Sequence, residues 1–177
     1  GQYFLTAGLK FTSFETITGF LLATVSFGKE LELGLLGIGD LSVPPKIDTD
    51  CIARAQLAVK AALKPSEGIF SAEAQLTNES YILAKSCKLK GGFAAYLWFG
   101  DNKYSGDFVV TLGGYHPLYK KPDHYPVVPR LGINWQIDKN LSIIGELYFA
   151  ITPSTLMAGG RLNATYSLGD LKAWFIA

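Results

Sequence analysis

Most of the side chains that could do chemistry lie in one segment, YHPLYKKPDHYPVVPR, residues 115 to 130. This segment holds both histidines of the 177-residue chain, His116 and His124, together with Asp123. Imidazole and carboxylate groups bind metal ions, but paired ligands in structural zinc motifs lie only about two to five residues apart. The two histidines are eight residues apart with prolines between them. We therefore predict no metal site in this segment.

The composition of the same segment favours a structural role. It contains four prolines and three tyrosines, and loops of this length in compact domains are commonly functional or structurally dedicated. The PVVP stretch is also compatible with recognition by a polyproline-binding module. We expect instead a stiff, extended strap whose tyrosines and prolines pack over an edge or a face of a sheet. The loop residues that we single out are Tyr115, His116, Tyr119, His124, Tyr125 and Arg130.

Motifs of catalysis and cofactor binding are missing from the sequence. It has no G-x-S-x-G, no H-E-x-x-H and no phosphate-binding P-loop, and GLLGIGD lacks the third glycine of a dinucleotide fingerprint. We therefore expect neither an enzyme nor a cofactor-binding protein. The net charge of +1 comes from scattered basic residues, which gives no case for nucleic acid as a partner.

The elements that must position these side chains are strands. In GGFAAYLWFG, residues 91 to 100, Phe93 and Leu97 fall on one face of a strand, while Tyr96 and Trp98 fall on the other. Both faces are apolar, which predicts that both are covered. The same alternation recurs in RLGINWQID and LSIIGELYFAI, which the DKN turn joins into a hairpin.

The whole chain follows this pattern, so we predict an all-β fold. We expect ten or eleven strands in one large, twisted, mainly antiparallel meander sheet, open or barrel-like. A helix competes only at residues 53 to 63, where the alternation still favours a strand, and a short helical turn is expected at most near Ser154 to Ala158. Glycine pairs at 91 and 92, 113 and 114, and 159 and 160 are predicted at strand ends, where they allow sharp bends.

Composition and chain ends indicate one segment of a longer protein. Apolar residues make up 49% of the chain and charged residues only 18%, against about 25% charged in an average soluble domain. The chain begins at Gly1, and its only methionine is Met157, so we expect residues 1–177 to be a single β-rich segment of a larger protein. Cys51 and Cys87 are either free thiols or a disulfide. Sequons at Asn78, Asn140 and Asn163 hint at an extracellular location.

One apolar face needs a cover. Its candidate residues are Phe93, Leu97, Phe99, Phe108, Val110, Ile133 and Trp135. Another protein layer, a lipid or other apolar ligand in a groove, or membrane around a β-barrel pore could provide the cover. We predict a non-catalytic structural scaffold that is completed by the rest of its parent protein or by further copies of itself.

Three long stretches also support a resemblance to a known family. They are LTNESYILAKSCKLKGGFAAYLWFG, GDFVVTLGGYHPLYKKPDHYPVVPRLGINW and LSIIGELYFAITPSTLMAGGRLNATYSLGDLKAWFIA. The chain resembles, over about residues 76 to 177, an uncharacterised family of unknown function found in very large fungal and bacterial proteins. The resemblance implies a β-rich fragment whose last strand would normally be followed by more strands, and it implies no catalytic residues.

Overall fold

The computed structural model describes residues 1–14, 16–44 and 51–177, and these residues form one antiparallel sheet of thirteen strands. The strands are β1 (Tyr3–Ser13), β2 (Ile17–Phe27), β3 (Glu32–Val43), β4 (Ala53–Lys64), β5 (Ile69–Leu76), β6 (Tyr81–Ile82), β7 (Ala84–Lys90), β8 (Gly92–Trp98), β9 (Phe108–Leu112), β10 (Leu131–Gln136), β11 (Leu141–Ile151), β12 (Leu156–Leu168) and β13 (Leu171–Ile176). The prediction of an all-β fold is confirmed. Within the described residues, no helix could span a bilayer.

Successive hairpins build the two flanks of the sheet, as the alternation predicted. Strands β1 to β5 pair in chain order, and β10 to β13 do the same. In the DKN turn, the Asp138 carboxylate accepts hydrogen bonds from the backbone N–H groups of Asn140 (2.6 Å) and Leu141 (2.9 Å). Residues 53 to 64 form β4 rather than a helix.

The middle of the sheet departs from a simple meander. One edge of β4 pairs with β5 over Leu57–Lys64 and with β6 at Ala53 and Arg54. One edge of β11 likewise pairs with β10 over residues 142 to 147 and with β9 over residues 149 to 151. Two rows of short strands, β5-β8-β9 and β6-β7-β10, therefore lie end to end between the long strands β4 and β11. These extra short strands raise the number above the ten or eleven predicted.

One local prediction near the start of β12 is wrong and one is not contradicted. Ser154 lies in a bend and Leu156 already begins β12, so Ser154 to Ala158 contains no helical turn, which agrees with the prediction of at most a short turn there. The pair Gly159 and Gly160 lies inside β12 rather than at a strand end. Its role is steric, because the hydroxyl end of Tyr148 lies where a Cβ atom on Gly159 would stand. The other two pairs lie at strand ends as predicted.

The two faces of the sheet differ in chemistry. In a regular antiparallel pair, directly opposite residues share a face, so the register assigns the regularly paired positions to one side or the other. One side, which we call the apolar face, runs from Leu5 and Leu9 in β1 to Phe175 in β13. The described positions that the register places on the apolar face hold apolar residues, glycines and tyrosines, and Ser13 is the one exception. The opposite side, which we call the polar face, carries the ion pairs Arg54–Asp40 and Arg161–Glu146.

The sheet is mostly a single layer. The hydrophobic core cluster consists of Trp98, Val109 and Tyr125, and Val109 is the largest fully buried side chain among the described residues. The accessible surface is 11,359 Å², whereas a compact monomer of 19.2 kDa exposes about 8,400 Å². The chain therefore exposes far more surface than a closed domain of its size.

Candidate functional site

The structure places six of the seven apolar candidates on one face. Phe93 and Leu97 of β8 lie opposite Leu112 and Phe108 of β9, and the register carries the same face on to the other members of the set. The six residues are Phe93, Leu97, Phe108, Val110, Ile133 and Trp135. Phe99 follows the last residue of β8 and lies in the β8–β9 connection, where its N–H donates to the carbonyl of Gly68 (2.8 Å).

A short furrow of small side chains lies on this apolar face. Directly opposite residues of β4, β5 and β8 form the row Ala61, Ala72 and Ala95, which Leu35 of β3 and Val110 of β9 close at its two ends. A row of larger residues flanks it on one side: Leu63, Phe70 and Leu97. Three strands at a spacing of about 4.8 Å give the furrow a length of about 10 Å.

The structure extends the predicted strap by two glycines to residues 113 to 130, and this strap covers part of the opposite face. It leaves the sheet after β9 and returns to it at β10. The ring of Tyr125 stacks on that of Trp98, with centroids 5.7 Å apart, and Tyr115 packs against Tyr125 at 6.3 Å. Within the described residues, this chain itself covers only one of the two faces of GGFAAYLWFG, so the expected cover of the second face stays a prediction. The strap buries the Trp98 side, whereas Leu97 on the other side is 44% exposed.

Asp107 fastens the strap to the β8–β9 connection. Its carboxylate accepts hydrogen bonds from the Tyr125 hydroxyl (2.7 Å), from Nε2 of His124 (2.7 Å) and from the N–H of Phe108 (2.9 Å). Burial alone would raise the pKa of Asp107, but these hydrogen bonds outweigh it and hold the pKa below its ordinary value. The pKa of Tyr125 is raised, first by burial and then by the carboxylate. The His124 ring also stacks on Tyr104, with centroids 3.7 Å apart.

Arg130 fastens the other end of the strap. Its guanidinium donates to the carbonyls of Gly113 (3.0 Å) and Tyr115 (2.5 Å) and lies over the ring of Tyr148, 4.3 Å from the centroid. His116 meets the same tyrosine edge-on at 6.0 Å. The two histidines therefore contact different residues at different ends of the strap. Among the described residues, no group of three or more metal-ligating side chains is assembled.

A cleft of about 650 Å³ opens beside this anchor on the polar face. It is lined by His116, Pro117, Arg130, Glu146, Tyr148, Gly159, Gly160 and Arg161. Glu146 pairs with Lys90 (3.1 Å) and with Arg161 (2.8 Å), and the hydrogen bond from Lys90 is the main cause that lowers the pKa of Glu146.

Several of these residues were not singled out from the sequence. Asp107, Tyr104, Glu146, Tyr148 and Arg161 are distant in sequence from most of their partners, so local spacing gives no signal for the groups they form. A weak signal does exist, because Glu146 and Arg161 interrupt apolar strands at positions of the polar face. The two cysteines are free, with Cys87 buried and Cys51 half-buried.

These features define a class of protein: an all-β chain with a single-layered antiparallel sheet, one apolar face and a strapped polar face. The chain belongs to the family described as "Family of unknown function (DUF6603)", whose profile matches residues 1–177. The match extends beyond residues 76 to 177, where the sequence stretches indicated a resemblance. No curated protein matches the chain, and no solved structure matches it.

Proposed function

We propose that this chain is a non-catalytic scaffold that assembles by packing the apolar face of its sheet against the same face of a second copy. The carrying observation is the continuity of that face across the flanks and middle of the sheet. Leu97 and Leu147 are 44% and 47% exposed there, and Leu5 and Leu9 in β1 are exposed as well. Apolar surface gains about 25 cal/mol per Å² when it leaves water, so a face of this extent strongly favours association.

The area of the face suits a stable interface. Ten strands lie side by side from β1 to β13 through β5, β8 and β9, which gives a width of about 43 Å at a spacing of about 4.8 Å. A strand of 11 residues such as β11 is about 37 Å long. The resulting area of about 1,600 Å² is roughly twice the 800 Å² that each partner buries in a standard interface.

The edges of the sheet favour association too. Strand β1 pairs only with β2, and β13 pairs only with β12, so the second edge of each has no described partner strand. Unpaired N–H and C=O groups along such an edge favour pairing with a further strand. Edge pairing can therefore extend an assembly that face packing begins.

Sedimentation velocity on the 177-residue chain tests the proposal. The double variant Leu97→Lys/Leu147→Lys introduces charge on the apolar face at exposed positions, so a folded monomer is expected where the unchanged chain forms dimers or larger species. Asn134→Lys/Gln136→Lys adds the same charge to exposed positions of the polar face and is expected to leave association intact. A monomeric unchanged chain at high concentration, or equal behaviour of the two variants, would refute the proposal; circular dichroism verifies folding.

The furrow favours a second candidate function, the binding of an apolar chain. The trough of Ala61, Ala72 and Ala95, about 10 Å long and flanked on one side by larger side chains, could hold part of an acyl chain, and burial gives about 0.8 kcal/mol per CH₂ group. Lipid extraction and mass spectrometry of the purified chain separate the two candidates. A monomer with bound lipid would support the second candidate, and a lipid-free assembly would support the first.

A further inference from the structure

The cleft beside Arg130 holds an excess of positive charge. Its lining contains two guanidinium groups, those of Arg130 and Arg161, and one carboxylate, that of Glu146. Glu146 is already shared between Lys90 and Arg161, so its charge is balanced. Arg130 has no carboxylate partner among the described residues, since its contacts are two carbonyls and the ring of Tyr148.

An unpaired guanidinium in a half-buried position is unusual. Charged groups that lose water contacts are normally paired with an opposite charge. Carbonyl groups and a ring face orient Arg130, but they do not neutralise its full charge. A guanidinium offers five N–H donors in a fixed fork, so donors remain for a planar or tetrahedral oxyanion after the two carbonyls are satisfied.

The rest of the lining suits the same type of ligand. Nδ1 of His116 accepts the N–H of Leu118 (3.1 Å), so in the neutral ring Nε2 carries the hydrogen and can donate. Gly159 and Gly160 add no side chains, and Tyr148 lies across Gly159. A volume of about 650 Å³ lies within the range of about 300 to 1,000 Å³ that is typical of small-molecule pockets.

We infer that this cleft is a binding site for a small oxyanion, a carboxylate or a phosphate group, with Arg130 and Arg161 as its charged contacts and His116 as a further donor. The site lies on the polar face, so packing of the apolar face leaves it accessible. The inference is therefore independent of the proposed scaffold function.

Isothermal titration calorimetry of the 177-residue chain with inorganic phosphate and, separately, with citrate tests this site. We expect saturable binding of one or both probes, and the stronger probe identifies the preferred oxyanion. Arg161→Gln removes a charge from a side chain that is 69% exposed, so the fold should persist. Because a hydrogen bond to a charged group is worth about 1.5 to 3 kcal/mol, the affinity should fall about tenfold or more.

Two further variants keep the result interpretable. Lys139→Gln removes one positive charge from the exposed β10–β11 turn and should leave the affinity unchanged. Gly159→Ala places a methyl group against Tyr148 inside the cleft and should weaken binding without any change of charge. The inference is wrong if neither probe binds saturably, or if Lys139→Gln weakens binding as much as Arg161→Gln.

Discussion

Asp107 is the residue on which the closure of the strap most depends. Its carboxylate holds a side chain from each of two neighbouring strap residues, Tyr125 and His124, and Tyr125 in turn covers Trp98. Each of these hydrogen bonds stabilises the ionised carboxylate, which is why the pKa of Asp107 lies below its ordinary value. The packing of Tyr125 on Trp98 in the core cluster therefore depends on the negative charge of Asp107 at the edge of the cluster.

This arrangement predicts a pH dependence of stability. A carboxylate whose pKa is lower in the folded state stabilises the fold above its unfolded pKa, and the contribution is lost as the pH falls through the folded pKa. The free energy of unfolding, measured by urea denaturation, should therefore be larger for the unchanged chain than for Asp107→Asn at pH 7. The difference should shrink below about pH 3.8, the ordinary value for aspartate.

The difference in unfolding free energy between the unchanged chain and Asp107→Asn reports on the Asp107 carboxylate alone. Glu146 also has a lowered pKa, but it is present in both and cancels in the difference. A difference that stays constant between pH 7 and pH 3 would show that the Asp107 charge contributes nothing to stability.

For single residues, the sequence indicated that the strap is important but did not indicate which side chains hold it in place. The tyrosines and prolines of the strap predicted packing over a sheet, and the structure places Tyr115 and Tyr125 in such packing. Asp107 could not be predicted as their partner, because 18 residues separate it from Tyr125 and hydrogen bonding between them depends on the folded path of the strap.

At the scale of single elements, the turn from β9 into the strap requires a glycine. Gly113 has a φ of 73°, in the left-handed region, and a Cβ atom there would clash with the backbone carbonyl of Leu147 and the backbone nitrogen of Leu131. Both obstacles are main-chain atoms of paired strands, so they cannot move aside independently. The strap can therefore begin only at a residue without a side chain.

Substitution of Gly113 should consequently lower the free energy of unfolding by more than the strain of its left-handed backbone conformation alone. Gly100 provides the matched control, since its φ is 60° and no atom lies within 4 Å of the position that an alanine methyl group would take there. Gly100→Ala should lower the free energy of unfolding by about 1 to 2 kcal/mol, the cost of the left-handed conformation. Gly113→Ala should lower it by roughly 3 kcal/mol or more, because the clash is added. Equal losses in urea denaturation would contradict this account of the turn.

The strands themselves were largely predictable, but their order in the middle of the sheet was not. Alternation located the hairpin of β10 and β11 and the strand character of β4, since each buries one set of alternate side chains. The end-to-end placement of β5-β8-β9 and β6-β7-β10 depends on pairings between distant segments, such as Gly132 with Lys90. Local periodicity carries no information about which distant edge a short strand will join.

At the scale of the whole molecule, the pairings of the middle strands close a circuit. Going from β4 through β5, β8, β9, β11, β10, β7 and β6 leads back to β4. Every strand in this circuit is paired with two other members, whereas the outermost strands β1 and β13 each have one neighbour. The middle of the sheet is thus linked differently from its flanks.

The circuit should divide the backbone amides into two kinetic populations. A strand within it cannot separate without breaking two ladders, so its hydrogen-bonded amides should exchange with deuterium only through near-global opening. Amides of β1 and β13 can be released by local fraying and should exchange much faster. Hydrogen exchange followed by mass spectrometry measures this directly, and protection of β1 equal to that of β8 in the monomeric Leu97→Lys/Leu147→Lys variant would contradict it. Within one continuous sheet, the central strands would thus open slowly, while the two outermost strands would fray readily.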